Sequence, residues 1–415
     1  MADHVAGIEA DARSWAESAW DPDLTVGEWW SRLLADRWSL PSLPDHAYGR
    51  GYSRAEEQAV WRGFAAVGTL GPPSGIATMM AAPTIADHGT SAQIDRYVPA
   101  ILNGTEAWCQ LFSEPGAGSD LAGLSTRAER DGESWVVTGQ KVWTSFGHEA
   151  DLGMLLARTD PDLPKHAGIS WFAFPMRQPG VEVRPLVELT GRAMFNEVFI
   201  DAAPVADEAL IGGPGGGWKV GNTTLAYERG SLAGAAVTLP YARTGSVAGQ
   251  LDQRAGDFGQ RDEVVRRSAI PDGVAESVWW GQQADELDRL DPVLRDELAA
   301  AHAEREVNRL LGQRARTGAV PAVGNLGKLA MSEIARTRRE VANRAVGAAG
   351  MLADADAEAG PAEGEAQRAT LASPAPSIYG GTDQVQRNII GERVLGLPKE
   401  PGPPKDTPFR DLPNN

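Results

Sequence analysis

Apolar residues return at helical spacing through the first hundred positions of the chain. Between Val5 and Ala19 they recur every three or four residues, while acidic and basic side chains occupy the opposite face. The same pattern returns in three later stretches, residues 56–68, 75–88 and 91–102. Proline and glycine punctuate the gaps between them, as expected at helix ends. We therefore predict a helical domain over residues 1–105.

The pattern changes to short runs of β-branched and aromatic residues after residue 105. Turn signals such as Asp131-Gly132, Asp160-Pro161 and Pro179-Gly180 separate these runs. The predicted strands are residues 135–138, 152–157, 169–175, 181–187 and 197–200. Short strands with tight turns predict an antiparallel β-domain over residues 106–215.

Helical spacing resumes at Trp218 and continues in three long stretches. These are residues 218–237, 292–316 and 323–349, with Gly350 as the expected C-cap of the third. They predict a second helical domain over residues 216–398. Residues 353–367 fit a surface loop, a short polar helix or a disordered linker. The proline-rich tail, residues 399–415, is predicted to be extended or disordered.

Charge and cysteine content exclude several classes of protein. The formal net charge of the 415 residues is −17, which argues against nucleic acids and anionic membrane surfaces as partners. Cys109 is the only cysteine, so an internal disulfide and a multi-cysteine metal site are excluded, and we expect no bound metal. The N-terminus lacks a basic region before an apolar run, and no apolar run approaches about eighteen residues. We therefore expect a cytoplasmic protein with no membrane span.

The segment from Cys109 to Asp120 is the most informative part of the chain. Two closely spaced glycines, Gly116 and Gly118, follow a proline, so the loop can offer successive N–H groups to a phosphate or a ring edge. It lacks both the Gly-Lys-Ser/Thr of a P-loop and the three-glycine dinucleotide fingerprint. By itself the loop is more typical of a tight connection into a β-domain.

Two further motifs change this interpretation. Residues Ser113–Asp120 read Ser-Glu-Pro-Gly-Ala-Gly-Ser-Asp, Gly139–Ser145 read Gly-Gln-Lys-Val-Trp-Thr-Ser, and Tyr379–Ile390 contain Gly-Gly-Thr-Asp-Gln. In this order and spacing they resemble the three flavin segments of the acyl-CoA dehydrogenase family, over roughly residues 5–398. The resemblance implies an α+β fold with an N-terminal helical domain, a middle antiparallel β-barrel domain and a C-terminal four-helix bundle.

The resemblance also implies a bound FAD and the residues that hold it. Trp143 should cover the flavin ring, unless it has only a core role, and Ser145 should lie near flavin N5. The other expected cofactor contacts are Phe112, Ser113, Gly118, Ser119, Gly381, Thr382 and Gln384. Ser119 should also contact the thioester. An aromatic cover excludes water from a hydride-transfer path, which is the protein's task in a cofactor enzyme.

The catalytic base needs a separate argument. Many family members carry the base directly before the Gly-Thr of the last motif, where this chain has Gly380. Members similar to isovaleryl- and long-chain acyl-CoA dehydrogenases instead place it before an arginine on the first C-terminal helix, which here is Glu228 before Arg229. A surface Glu–Arg pair is the ordinary alternative. Because Gly380 has no carboxylate, we predict Glu228 as the base, Arg229 as an orienting residue, and the Gly380 N–H as a donor to the thioester carbonyl.

The segments expected to contact the FAD of a neighbouring subunit resemble those of the family less closely. Segments that a neighbouring subunit usually offers to FAD are faint at Arg254–Gly259 and lack a glutamine at Gly347. The resemblance therefore implies either an α2β2 heterotetramer with a second family member, or a homo-oligomer in which Arg243 or Arg314 fills the gap. The expected reaction is α,β-dehydrogenation of an acyl-CoA, or of a carrier-protein thioester, with electrons passed to an electron-transferring flavoprotein. The alternatives are a flavin oxidase or monooxygenase and a non-catalytic partner subunit.

Overall fold

The computed structural model describes residues 2–231, 237–258, 291–315, 323–348, 365–399 and 401–412. Within these ranges a helical domain comes first, a β-sheet domain follows, and helices return at the C-terminal end. The predicted α+β fold class and the order of its three parts are confirmed. Across the described ranges, none of the helices combines the length and the apolarity that crossing a membrane requires.

Five helices form the N-terminal domain. They are α1 (Ala2–Ala19), α2 (Val26–Ala35), α3 (Arg54–Val67), α4 (Ala82–His88) and α5 (Ser91–Leu102). A π-helical turn, Ala77–Ala81, leads directly into α4 just before Pro83. Helix α2 was not predicted, although Thr25 and Glu28 form a capping box at its start.

Tryptophans dominate the core of this domain. Trp29 and Trp30 on α2 are fully buried and pack among apolar residues of α1 and α3, including Phe64. Each indole N–H donates to a backbone carbonyl, Trp29 to Leu70 at 2.8 Å and Trp30 to Gly71 at 2.9 Å. The aromatic bulk is therefore buried without an unsatisfied N–H on either ring.

Eight strands form one sheet in the middle domain. They are β1 (Trp108–Leu111), β2 (Arg127–Asp131), β3 (Ser134–Ser145), β4 (Leu152–Arg158), β5 (Ile169–Pro175), β6 (Val181–Leu186), β7 (Phe195–Ala206) and β8 (Leu210–Ile211). Their order is β6-β7-β3-β2-β4-β5-β8, with β1 also paired to β4.

Most neighbours in this sheet are antiparallel, as predicted, but two pairings are parallel. Strand β1 runs parallel to β4, and β2 meets β4 in parallel at Arg127 and Arg158. The chain forms the β2–β3 hairpin between β1 and β4, so the connection is long enough for a parallel pairing. This arrangement places β1 beside β4, where it borders the first C-terminal helix.

The C-terminal helices described are α6 (Gly217–Ser231), α7 (Pro292–Ala315), α8 (Val323–Val346), α9 (Glu365–Ala372) and α10 (Asp383–Arg393). The prediction that α6 extends to Val237 is wrong, because Val237 is not helical. Helix α8 ends at Val346, and Gly347 adopts a left-handed φ of 58° that suits glycine. The expected C-cap Gly350 lies outside the described residues, as do residues 353–364.

The C-terminal arm, residues 401–412, lies in the tail that was predicted to be extended or disordered, and it folds back onto the β4–β5 loop. The Phe409 N–H donates to the Leu163 carbonyl at 3.0 Å, and the Arg410 N–H donates to the Pro161 carbonyl at 3.1 Å. The Arg158 guanidinium lies 3.3 Å from the centre of the Phe409 ring. Proline-rich composition therefore did not prevent docking, since a cation–π contact and backbone bonds fix the arm.

Helix α6 connects all three parts of the chain. Thr224 on α6 is buried and accepts a hydrogen bond from Thr84 on α4 at 3.1 Å. On another side of α6, Gly221 faces Leu156 of β4 so closely that a Cβ at this position would lie 3.2 Å from the leucine side chain. The helix is thereby fixed between the helical domain and the sheet, and this determines the direction of its last turns.

Candidate functional site

The loop that follows β1 is closed by its own backbone. Glu114 and Ala117 exchange hydrogen bonds of 2.9 and 3.0 Å across Pro115 and Gly116. Phe112 and Ala117 are buried, whereas Gly116, Gly118 and Ser119 are exposed. The sequence places the two glycines where open space surrounds them. The predicted cofactor loop is therefore a rigid turn that presents its glycines and Ser119 to the outside.

A buried ion pair holds this loop from beneath. Lys141 on β3 is fully buried, and its Nζ lies 2.8 Å from Glu114 Oε1 and 3.1 Å from the Phe112 carbonyl oxygen. Glu114 also accepts the backbone N–H groups of Ser125 and Thr126 at 2.7 and 2.9 Å. Burial would raise the pKa of Glu114, but the Lys141 charge and these hydrogen bonds outweigh it and lower the pKa to about 2.

No role for this ion pair was predicted from the sequence. Glu114 and Lys141 lie in two different motifs, 27 positions apart. The available signal was the charged Lys141 within an otherwise alternating strand, since a lysine at a buried strand position requires a carboxylate partner. The pair joins the first two predicted flavin segments into one structural unit.

Trp143 has an unusual backbone conformation and an exposed side chain within the second segment. A shift in the pairing of β3 with β7, between Lys141 and Thr144, interrupts the ladder at this residue. Its φ is 61°, and its side chain is 61% exposed, with the ring packed edge-on to Phe195 at 5.9 Å. A left-handed backbone is strained for a bulky residue, costing roughly 1–3 kcal/mol, and such strain clusters at functional sites. The bulge therefore argues against a core role for Trp143 and leaves its ring exposed, available to stack on a flat ligand.

Ser145 ends the same strand beside this bulge. It pairs with Phe195 of β7, and buried Asn196 supports the turn by donating to the Thr144 carbonyl at 2.9 Å. The structure thus brings Phe112, Ser113, Trp143 and Ser145 together around one end of β3, because the Val142 N–H donates to the Ser113 carbonyl at 3.0 Å.

The third motif forms a separate loop at the start of α10. Gly380 and Gly381 have φ values of 64° and 84°, which only glycine adopts without strain. Thr382 caps the helix by accepting the Val385 N–H at 3.2 Å, and Gln386 donates to the Gly380 carbonyl at 2.7 Å. Gln384 is exposed on the first turn. Helix α10 thus fixes the loop at its own N-terminus, and the Gly380 carbonyl already accepts a hydrogen bond from that helix.

Asp383 anchors this loop to α8. Its carboxylate lies 2.9 Å from Lys328 Nζ, accepts from Ser332 Oγ at 2.7 Å, and lies 3.4 Å from Arg336. Burial would raise the pKa of Asp383, but the bonds from Lys328 and Ser332 lower it to about 2. No role for Asp383 was predicted from the sequence. It holds the N-terminus of α10, and with it the Gly380–Thr382 turn, against the neighbouring helix.

Glu228 lies near the end of α6 and is half-buried. Burial raises the pKa of its carboxyl, and the effect is partly offset by a hydrogen bond from the side chain of Gln110 on β1 and by the charge of Arg229. Arg229 is also within electrostatic reach of Arg393 at the end of α10. The predicted base is therefore a desolvated carboxylate against the strand that leads into the cofactor loop, and α10 is nearby.

Two further contacts fix the helix that carries Glu228. The Tyr227 hydroxyl donates to Asp87 Oδ2 at 2.8 Å, and His88 Nε2 lies 2.8 Å from Thr223 Oγ1. Burial and the Asp87 contact raise the pKa of Tyr227 to about 12, so this hydroxyl stays a donor. These bonds turn Tyr227 towards α4 and leave Glu228 on the side of β1.

The residues expected to contact the FAD of a neighbouring subunit either form ion pairs within this chain or have no side chain to offer. Arg254 forms ion pairs with Asp23 at 2.6 Å and Asp257 at 3.0 Å within its own chain. Gly347 is exposed and offers no side chain, and Gly259 lies outside the described residues. Arg243 lies 3.7 Å from Glu149. The guanidinium groups of Arg254 and Arg243 therefore lie in exposed ion pairs within this chain.

The residues present fit a flavin. The exposed, strained Trp143 offers a flat aromatic face, the Gly116–Ser119 turn offers open backbone, and the Thr382-capped start of α10 offers helix N–H groups for a diphosphate. Two of these features belong to one rigid unit held by Lys141 and Glu114. The third is held independently by Asp383 and Lys328.

Comparison with protein families gives three matches that follow one another along the chain. The N-terminal domain model of acyl-CoA dehydrogenases matches residues 3–105, the middle domain model matches residues 109–202, and the C-terminal domain model matches residues 276–395. Together they span the helical, sheet and helical parts of the chain in order.

Relatives over the full length agree with these matches. The acyl-CoA dehydrogenase IpdE1 of Mycobacterium tuberculosis is 36% identical over 90% of this chain and 88% of its own length. A solved structure titled Tcur3481-Tcur3483 steroid ACAD superposes with a TM-score of 0.68 at 25% identity, covering 96% of this chain and 98% of that one. The ChsE4-ChsE5 complex from Mycobacterium tuberculosis gives 0.62 at 25% identity, with the same coverage.

Proposed function

This chain belongs to the acyl-CoA dehydrogenase family, and on that premise we propose that it converts a CoA thioester to its 2-enoyl form with Glu228 as the base. Known relatives and all three family models support an oxidoreductase that dehydrogenates acyl-CoA. The identity of the base, the acyl group, the electron acceptor and the assembly of the enzyme are the parts that we propose.

One observation carries the assignment of the base. Gly380 occupies the loop position where many members carry a carboxylate, and its φ of 64° favours glycine there. Glu228 is instead desolvated on α6, where burial raises the pKa of its carboxyl. A carboxylate whose pKa is moved towards neutrality is better matched to removing a weakly acidic α-proton. The same carboxylate argues against a non-catalytic subunit.

We propose that the loop at Gly380 stabilises the negative charge that develops on the thioester carbonyl when Glu228 removes the α-proton. Because Gln386 occupies the Gly380 carbonyl, the orientation of this peptide is fixed. We propose that the Gly380 N–H donates to the thioester carbonyl as negative charge develops there, a preorganised donor that needs no reorganisation during the reaction. Arg229, beside Glu228, would orient the substrate end of the site.

We propose FAD as the cofactor, held by Phe112, Ser113, Gly118, Ser119, Trp143, Ser145, Gly381, Thr382 and Gln384. FAD held by these residues would supply the hydride acceptor for the β-carbon of the substrate. Trp143 would cover the ring and exclude water, and the Glu114–Lys141 pair would keep Phe112 and Ser113 in register with Trp143. An electron-transferring flavoprotein is the proposed acceptor, and rapid reoxidation by air would instead favour an oxidase or monooxygenase.

A bulky, ring-bearing acyl group is the proposed substrate class. The support is the similarity to the solved protein titled steroid ACAD, which extends over 96% of this chain. Anaerobic mixing with a panel of short, branched, long and steroid side-chain CoA thioesters tests this, with flavin bleaching as the readout. Fastest bleaching by the steroid thioesters supports the proposal, and fastest bleaching by short linear thioesters contradicts it.

An α2β2 heterotetramer with a second family member is the proposed assembly. The support is twofold: similarity to the ChsE4-ChsE5 complex, and the internal engagement of Arg254, which leaves this guanidinium paired to Asp23 and Asp257. A charged diphosphate needs cationic partners, and a heterologous subunit could supply them. Measuring flavin per chain tests this, because one tightly held FAD per polypeptide in the isolated protein would contradict the requirement for a partner.

A further inference from the structure

Arg158, the last residue of β4, is a buried arginine whose guanidinium binds the backbone of two loops. It donates to the Ala122 carbonyl at 2.7 Å, the Leu124 carbonyl at 3.2 Å and the Lys165 carbonyl at 3.1 Å. A planar guanidinium presents several N–H groups in fixed directions, so one side chain can hold several carbonyls at once. Arg158 therefore joins the segment that follows the cofactor loop to the β4–β5 loop.

The pairing of the strands places Arg158 beside this segment. Arg127, the first residue of β2, pairs in parallel with Arg158, and the Arg158 N–H donates to the Thr126 carbonyl at 2.7 Å. The segment before β2 therefore ends next to the Arg158 side chain. Lys165 adds a second link, because its Nζ lies 2.8 Å from both carboxylate oxygens of Asp120. Two basic side chains thus hold the segment that follows the cofactor loop.

The C-terminal arm covers the guanidinium of Arg158. The Arg158 Cζ lies 3.3 Å from the centre of the Phe409 ring, and Arg158 as a whole is only 4% exposed. The next residue of the arm, Arg410, forms an exposed ion pair with Asp162 of the β4–β5 loop. Burial lowers the pKa of Arg158 to about 10, so the side chain is still a cation at neutral pH and attracts the face of the ring.

We propose that Arg158 and Phe409 are positioning residues for the binding of FAD and the thioester: the arm holds the arginine, and the arginine holds the segment that follows Ser119. This inference rests on the proposed role of Ser119 at the site. Ser119 is exposed and lies directly before that segment. On the other side of the turn, Glu114 is fixed by the buried Lys141. The turn that carries Ser119 is therefore held at both ends, each time by a buried cation.

Loosening this segment should weaken binding and leave the chemical step nearly unchanged. A binding loop that is already ordered loses less conformational freedom when its ligand binds. Glu228, the proposed base, is carried by α6 and lies outside this chain of contacts. Removing the Phe409 ring should therefore raise the thioester concentration needed for half-maximal flavin reduction, while the limiting rate of reduction stays close to that of the wild type.

The test compares Phe409→Leu, Phe409→Tyr and Arg158→Lys with the wild type. Leucine keeps an apolar side chain but removes the ring face, tyrosine keeps the ring, and lysine keeps the charge but lacks the planar set of donors. Arg410→Ala is the matched control, because it removes the exposed ion pair between the same arm and Asp162 and leaves the Phe409 ring in place.

Two kinds of measurement follow the effect. One is hydrogen exchange at the Gly123 and Leu124 amides, whose bonds of 2.9 and 3.1 Å close the Leu121–Gly123 turn. The other is ligand binding, measured as the FAD dissociation rate and as the dependence of flavin reduction on the concentration of the fastest thioester of the panel.

In Phe409→Leu and Arg158→Lys, the exchange rate, the FAD dissociation rate and the half-saturating thioester concentration should each rise about tenfold, as expected when a buried cation loses its aromatic or carbonyl partners. The limiting rate of flavin reduction should stay within about twofold of the wild type. Phe409→Tyr and Arg410→Ala should match the wild type in all of these measurements.

The outcomes separate this inference from the proposed function. Wild-type exchange in Phe409→Leu would overturn the inference, and so would faster exchange with unchanged binding of FAD and thioester. Equal effects in Arg410→Ala would also contradict it, because any loosening of the arm would then suffice. Should Arg158→Lys not fold, Phe409→Leu decides by the same criteria. If no thioester reduces the wild-type flavin, the proposed function fails, while exchange and FAD dissociation still decide whether the arm holds the cofactor loop.

Discussion

Replacing Lys141 by methionine should weaken the middle domain and the cofactor loop together. Lys141 is fully buried and bonds to Glu114 and to the Phe112 carbonyl. Methionine fills a similar volume but leaves the Glu114 carboxylate buried with only backbone N–H and Ser125 hydroxyl donors. Removing one partner of a buried ion pair typically costs about 3–5 kcal/mol.

The lowered pKa of Glu114 gives a second estimate of how much the ion pair contributes to the unfolding free energy. Lowering it from the ordinary 4.5 to about 2 corresponds to roughly 3 kcal/mol of unfolding free energy at neutral pH. Because the folded-state pKa is depressed, this stability is present above about 4.5 and is lost as the pH falls towards 2. In Lys141→Met the burial of Glu114 is no longer offset by a cation, so its folded-state pKa should rise and the carboxyl should protonate.

Urea unfolding between pH 7 and pH 4 measures both effects. The unfolding free energy of Lys141→Met should be about 3 kcal/mol below that of the wild type at pH 7. The difference in unfolding free energy between the two proteins should narrow as the pH falls. At neutral pH, Lys141→Met should also retain less flavin than the wild type. Lys165→Met is the matched control, since it breaks the exposed Lys165–Asp120 pair of the same region and should cost less than about 1 kcal/mol.

Two results would refute the reasoning. One is a difference below about 1 kcal/mol at pH 7, which would place the pair among ordinary surface ion pairs. The other is a difference that does not change with pH, which would mean that the loss comes from packing and not from the charge of Glu114. Adding Glu114→Gln to Lys141→Met should recover part of the stability, because it removes the unpaired charge.

Three further predictions follow from the site and the arm. Trp143→Gly should relieve the left-handed strain and leave the unfolding free energy unchanged or higher by about 1 kcal/mol, yet reduce flavin retention measured by absorbance; normal retention would contradict the proposal that Trp143 covers the flavin. Phe409→Ala should free the C-terminal arm by removing its contact with Arg158, so limited proteolysis should cut after residue 399 faster than in the wild type. Co-expression with a family partner should raise bound FAD per chain above that of the isolated protein, and equal content would favour a homo-oligomer.

The fold could be predicted where local patterns dominate. Strands Leu152–Arg158 and Ile169–Pro175 are buried along their length and were found as short apolar runs. Helix α2 was missed because its signal is a capping box and a tryptophan pair rather than a long periodic stretch. The parallel pairing of β1 was missed because strand direction depends on tertiary order, which local alternation does not specify.

The candidate site could be predicted only in part, for a related reason. Its motif residues were identified by resemblance, yet the contacts that connect them join distant segments. Lys141 meets Glu114 across 27 positions, and Asp383 meets Lys328 across 55. Docking of the arm through Phe409 likewise depends on a cation, Arg158, that no pattern within the tail indicates.

The central claim is that Glu228 removes the α-proton of a thioester. Anaerobic stopped-flow reduction of the flavin, compared between the wild type and Glu228→Gln with the best thioester of the panel, tests it most directly. We expect Glu228→Gln to bind flavin and thioester normally but to reduce the flavin about 10²- to 10⁴-fold more slowly, the usual contribution of a positioned acid–base group. The wild-type rate should also rise with pH through the raised pKa of Glu228. A variant that reduces its flavin at the wild-type rate would contradict the account and place the base elsewhere.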